Sequence, residues 1–135
     1  MQSALSRLGG LRAVLYVAAT AVAAAAFLGS GLANLAHVPH VVDDMAHLGY
    51  PSYFMTVLGT WKVLGAIGIV VPRFPRLKEW SYAGMMFDLT GAASSRAAMG
   101  DGAVMVLVPL AIAAVVVTSW ALRPIDRRVP LRAAA

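Results

Sequence analysis

Two ionisable side chains, Lys62 and Asp88, sit near the middle of two otherwise apolar stretches, Tyr53 to Val71 and Trp80 to Met99. The short connection between them, Pro72-Arg73-Phe74-Pro75-Arg76-Leu77-Lys78-Glu79, makes two helices run antiparallel. At a rise of about 1.5 Å per residue, the ammonium and the carboxylate then lie at depths that agree within roughly one turn. An unpaired charge at mid-membrane costs at least about 2.5–3.5 kcal/mol on insertion scales, so the two groups need each other or a ligand. Two readings stay open. The pair either fixes which helix faces meet, or lines a polar pocket for a quinone-like head group, a lipid, a small anion or a proton relay. Asn34 and Ser95 are further candidate ligand-binding residues. Thr60 and Thr90 could add to the lining, although lone hydroxyls in such helices commonly bond their own backbone.

A second constellation lies between the first two apolar runs. His40, Asp43 or Asp44, and His47 recur at i, i+3 or i+4, i+7, a spacing that puts three metal-ligand types on one helical face. His40, Asp44 and His47 are therefore the candidate metal ligands, and a solvated polar face is the plainer alternative, which the sequence favours. His37 precedes the helix and could join. A b-type haem across the spans is disfavoured, since no histidine falls inside one. The chain has no cysteine, which excludes a thiol nucleophile, a CxxC centre and a cysteine-ligated cluster. Serine hydrolase, Walker and Rossmann motifs are not evident, so no catalytic residue is assigned. Any oxidoreductase role would need partner subunits or a bound quinone.

The elements that position these residues follow from composition. Of 135 residues 60% are hydrophobic and 13% charged, with a mean hydropathy of +0.75, too apolar for a soluble domain of this length. About 20 apolar residues cross a bilayer core, and four stretches qualify, 13–36, 53–71, 80–99 and 103–122. The expected fold is all-α, a transmembrane four-helix bundle, with a short interfacial helix at 39–48 between spans 1 and 2 and a tail at 123–135. In the first span Ala21, Ala25, Gly29 and Ala33 recur every four residues, which predicts the stripe on which another helix packs. A signal peptide has a similar outline, but this apolar run exceeds the usual h-region. Pro39 suits the first turn of the interfacial helix, and Gly49 with Pro51 ends it. Trp80 and Tyr82 read as interface anchors, Arg96 as reaching toward headgroups, and Pro109 as a kink.

Charge sets the expected orientation. The N-terminus, the 72–79 loop and the tail hold nine of the eleven Lys and Arg, Arg132 among them. Both termini are therefore expected on the cytoplasmic side, with the His/Asp helix outside. The same distribution explains a pI near 10.3 without nucleic acid, and a basic inner face favours anionic headgroups.

Leu58-Gly59-Thr60-Trp61-Lys62-Val63-Leu64-Gly65, the run Pro75 to Gly84, and Phe87-Asp88-Leu89-Thr90-Gly91-Ala92 closely resemble the DoxX-like family of small bacterial membrane proteins. The stretch from Val41 to Leu48-Gly49-Tyr50-Pro51 and the Gly100-Asp101 turn fit as well, so the resemblance covers most of residues 29–123. It implies four transmembrane helices in the cytoplasmic (inner) membrane. Some relatives are linked with quinone-coupled sulfur oxidation or with membrane-associated thiol and superoxide defence, and distant ones with assembly of other membrane proteins. The chain departs from the expected pattern at Ser95-Arg96, where the family resemblance leads one to expect Ser-His. The reading that follows is a binding or accessory subunit of a larger redox-linked complex, holding a quinone or lipid at Lys62 and Asp88. Its partners would be the bilayer and other membrane subunits or further copies of itself. The alternative is an oligomeric ion, proton or small-solute transporter using the same pair.

Overall fold

The computed structural model describes the backbone of residues 2–130 and the side chains of residues 7–130. Arg132 and the end of the predicted tail lie outside the described residues. Among those described there are five α-helices and no strand: α1 (Gln2–Leu35), α2 (Pro39–His47), α3 (Ser52–Val70), α4 (Pro75–Ala98) and α5 (Ala103–Leu122), followed by a 3-10 turn at Ile125–Arg127.

Local chemistry explains the boundaries. Proline stands in the first turn of α2 and of α4, where its missing N–H costs no helical bond. For α4 this moves the start to Pro75, inside the predicted 72–79 loop. Three helices end in the same left-handed turn. His37 (φ 50°), Gly49 (φ 81°) and Gly100 (φ 74°) each reverse the chain, and the residue after each donates its N–H back into the last turn. These bonds run from Val38 to the Ala33 carbonyl, from Tyr50 to that of Met45, and from Asp101 to that of Arg96, at 3.2, 2.9 and 3.0 Å. Two of these turns deliver Tyr50 and Asp101 to the site described below.

α1 packs on α3 and α5, α4 packs on the same two helices, and α2 lies against α3 and α1. The α1–α3 crossing is closest at two glycines. A Cβ on Gly59 would stand 2.7 Å from the Gly31 carbonyl oxygen, and one on Gly31 would stand 3.0 Å from Lys62 Cβ. Small residues thus let two backbones approach, as in other membrane helix pairs, but not on the predicted stripe. Ala21, Ala25 and Gly29 face outward, and the packed face of α1 is Tyr16, Thr20, Ala23, Phe27, Gly31 and Asn34. Phe27 and Tyr16 bury far more apolar area than alanines can, and this decides the rotation.

The core is Ala23, Phe27, Ala66, Ile69, Tyr82, Met85, Leu89, Ala113 and Val116. Large apolar side chains also cover the outside, among them Val14, Trp61, Phe87 and Val104, as expected where the solvent is lipid. Among the described residues three helical segments are long and apolar enough to cross a membrane, Arg7–Leu35, Ser52–Val70 and Ala103–Leu122. α4 is not among them. Its 24 residues suffice in length, but it carries Arg76, Lys78, Glu79, Asp88 and Arg96.

Candidate functional site

All five helices contribute to one cavity of about 720 Å³. α1 supplies Phe27 and Asn34, α2 supplies His40, Asp44 and Met45, α3 supplies Phe54 and Lys62, α4 supplies Asp88 and Arg96, and α5 supplies Met105 and Pro109. Lys62 Nζ lies 3.6 Å from Asp88 Oδ2, with the two side chains 16% and 18% exposed. At that separation attraction is direct, but the distance is too long for a hydrogen bond between them. Lys62 is aligned by the Gly31–Gly59 contact, which seats α3 against α1 one turn away. Asn34 is 4% exposed. Its Nδ2 donates to the Ser30 carbonyl at 2.8 Å, which fixes the amide orientation and leaves Oδ1 buried without a donor. A buried polar atom of this kind costs free energy until something donates to it.

Ser95 does not line the cavity. Its Oγ and the Tyr50 hydroxyl share a 2.7 Å hydrogen bond, so Ser95 holds Tyr50, which does line it. Thr60 and Thr90 donate to the carbonyls of Thr56 and Met86, each at 2.7 Å, and face outward.

The polar residues of α2 are drawn to different partners. His40 stands at the cavity wall, Asp44 is bound by Arg96, and His47 Nε2 is 2.7 Å from Asp101 Oδ1. Among the described residues no group of three or more His, Cys, Asp or Glu side chains is placed to hold a metal ion. Arg96 turns inward instead of out to the headgroups, bridging Asp44 and Asp101, the latter at 3.0 Å. One guanidinium thereby ties α2 to the α4–α5 turn with two directed hydrogen bonds, the geometry arginine suits best. Hydrogen bonds from His47 and then from Arg96 hold the Asp101 carboxyl below its ordinary range.

A second buried polar group lies toward the other end, away from this cavity. Ser119 Oγ is 2.6 Å from Thr20 Oγ1 and 2.8 Å from the Tyr82 hydroxyl, joining α5, α1 and α4. Tyr82, 3% exposed, is therefore a core residue and not an interface anchor, whereas Trp80 is 79% exposed. Lys78 is fully buried and donates to the Ile69 carbonyl. None of these contacts has a local sequence signature, because each partner sits on a different helix.

No curated protein and no solved structure matches the chain. The family model described as the DoxX-like family does match, over residues 18–119. That interval runs from the packed face of α1 through Lys62 and Asp88 to Ser119, and the chain belongs to the DoxX-like family of membrane proteins.

Proposed function

We propose that the chain is a four-span bundle of the cytoplasmic membrane that serves as a binding or accessory subunit of a larger, redox-linked complex, with the central cavity holding a quinone or lipid head group. The observation that carries this reading is the cavity itself, where Lys62 and Asp88 face each other beside the unpartnered Asn34 oxygen. An ion pair alone would be better served by close packing around it. In this reading α4 crosses the membrane despite its charges because Asp88 faces Lys62, and Lys78, Glu79 and Arg96 lie toward its ends. α2 lies at the outer surface, and both termini are cytoplasmic.

The polar groups suit a quinone-type head group. The Lys62 ammonium can donate to a ring oxygen, and the Asp88 carboxylate can accept from the hydroxyl of the reduced form. Such a group supplies the redox chemistry that a chain without cysteine lacks. The chain's own residues bind and orient it, and Phe27, Phe54 and Leu58 exclude water around it. The cavity lining extends from Lys62 and Asp88 to α2, and none of Thr20, Ser119 and Tyr82 belongs to it. A pocket closed at one end supports binding over the through-pathway that an oligomeric transporter requires.

The test is gentle purification from native membrane with mass spectrometry of everything retained, comparing wild type with Lys62→Met/Asp88→Leu. A retained quinone, lipid or subunit that is lost from the folded double variant supports the site. If the variant keeps the same company, the pair is architectural. For topology, Asp43→Cys in this cysteine-free chain should react with an impermeant maleimide from outside the cell; labelling only from the cytoplasmic side would reverse the orientation.

A further inference from the structure

At the end of the bundle opposite α2, the chain leaves α5 at Arg123 and folds back through the turn at Ile125–Arg127. Four cationic side chains gather there. Lys78 is buried against the Ile69 carbonyl. Arg123, 3% exposed, donates Nε to the Trp120 carbonyl at 2.9 Å and Nη2 to Glu79 at 2.7 Å, with its guanidinium 5.2 Å and 5.5 Å from the ring centres of Tyr82 and Trp120. Arg127 donates to the Tyr16 hydroxyl at 3.3 Å, and Arg128 donates to the carbonyls of Arg123 and Ala121, each at 3.0 Å. Among the described residues only Arg123 of these four meets a carboxylate. Carbonyls and aromatic faces orient the other cations without neutralising them.

Two features point to what completes this cluster. Arg123 Nη1 is buried and has no acceptor, and a guanidinium N–H left so is costly. Beside it a groove of about 280 Å³ runs between α4 and α5, walled by Ala83, Met86, Val116 and Val117 and ending at Glu79, Tyr82 and Trp120, the residues that surround Arg123. The groove thus ends against the residues that hold the Arg123 guanidinium. A zwitterionic head group would bring a further cation to a place where four cations already outnumber two carboxylates, Glu79 on Arg123 and Asp126 in the turn.

We propose that this end of α4 and α5 is a binding site for an anionic phospholipid, with an acyl chain in the α4–α5 groove and its phosphate against the Arg123 cluster. The phosphate supplies both the missing acceptor and the missing countercharge. The site is separate from the central cavity and does not depend on what that cavity holds.

The experiment is native mass spectrometry of the full chain released from equal mixtures of phosphatidylglycerol and phosphatidylcholine with matched acyl chains. Phosphatidylglycerol should be retained preferentially. Arg123→Gln should reduce that preference about tenfold, the loss of one charge-assisted hydrogen bond, and Arg127→Gln should reduce it less. Arg73→Gln, at an exposed basic residue of the α3–α4 loop, should leave it unchanged. Should Arg123→Gln fail to fold, Arg127→Gln carries the test. Retention of the two lipids in equal proportion, a preference that survives both variants, or displacement of phosphatidylglycerol by inorganic phosphate would overturn the proposal, the last by making this a small-anion site.

Discussion

The two polar regions inside the bundle are made of similar parts and finished differently. Around Ser119 the hydroxyls of Thr20 and Tyr82 are both bonded, at 2.6 and 2.8 Å, and fully buried Val116 stands one turn away on the same helix. Around Lys62 and Asp88 the charges stop at 3.6 Å, Asn34 Oδ1 has no donor, and about 720 Å³ stands open. The cause is the size of the neighbours. Ala26, Ser30, Ala33, Gly91 and Ala92 leave room where larger side chains would have closed in. Polar groups satisfied within the protein specify how helices dock, and polar groups left beside a void keep their capacity for a ligand.

Substitutions can break or sharpen this contrast. The largest effect belongs to the charge pair taken singly. Lys62→Met leaves Asp88 buried and unpaired, and should cost about 3–5 kcal/mol in reversible unfolding from mixed micelles. Asp88→Leu should cost a similar amount, whereas the double variant recovers most of the loss. A double variant that costs the sum of the two single variants would show that the two groups are uncoupled. Next, Ser119→Ala strands two buried hydroxyls and should cost about 1–3 kcal/mol, again read from unfolding, with whatever the cavity binds still retained.

Asn34→Leu should act in the opposite sense. It removes an orphaned acceptor, so thermal stability holds or rises slightly while retention of the bound molecule falls. The smallest effect concerns α2. Because the folded Asp101 carboxyl is held below its ordinary value of 3.8, its contribution is complete above that value and is lost as pH falls through the lower folded one. Amide hydrogen exchange in α2 should therefore rise below about pH 3.8 relative to the rest of the bundle. Asp101→Asn should remove that step.

The helices and the meeting of Lys62 with Asp88 were legible in the sequence because each depends on one short stretch. Apolar length gives α1, α3 and α5, and the brief connection between two runs matches the depths of the two charges. The face of α1 was misread, since a four-residue alanine period shows what is small and not what is buried, and Phe27 and Tyr16 set the rotation. Arg96 was placed at the headgroups because its partner Asp44 lies 52 positions away on another helix. The Thr20–Ser119 contact spans 99 positions, and only tertiary structure brings such isolated hydroxyls together. The helical start at Pro75 did carry a signal, since proline in a first turn commonly opens a helix.

The central claim is that one polar region holds the fold and the other holds a ligand. It is tested most directly by mass spectrometry of the organic extract from purified Asn34→Leu and Ser119→Ala, each set beside its thermal unfolding midpoint. The account predicts that Asn34→Leu loses a molecule present in the wild type at an unchanged or higher midpoint, while Ser119→Ala keeps that molecule at a lowered midpoint. Asn34→Leu retaining the full wild-type complement, or both variants losing it alike, would contradict the division.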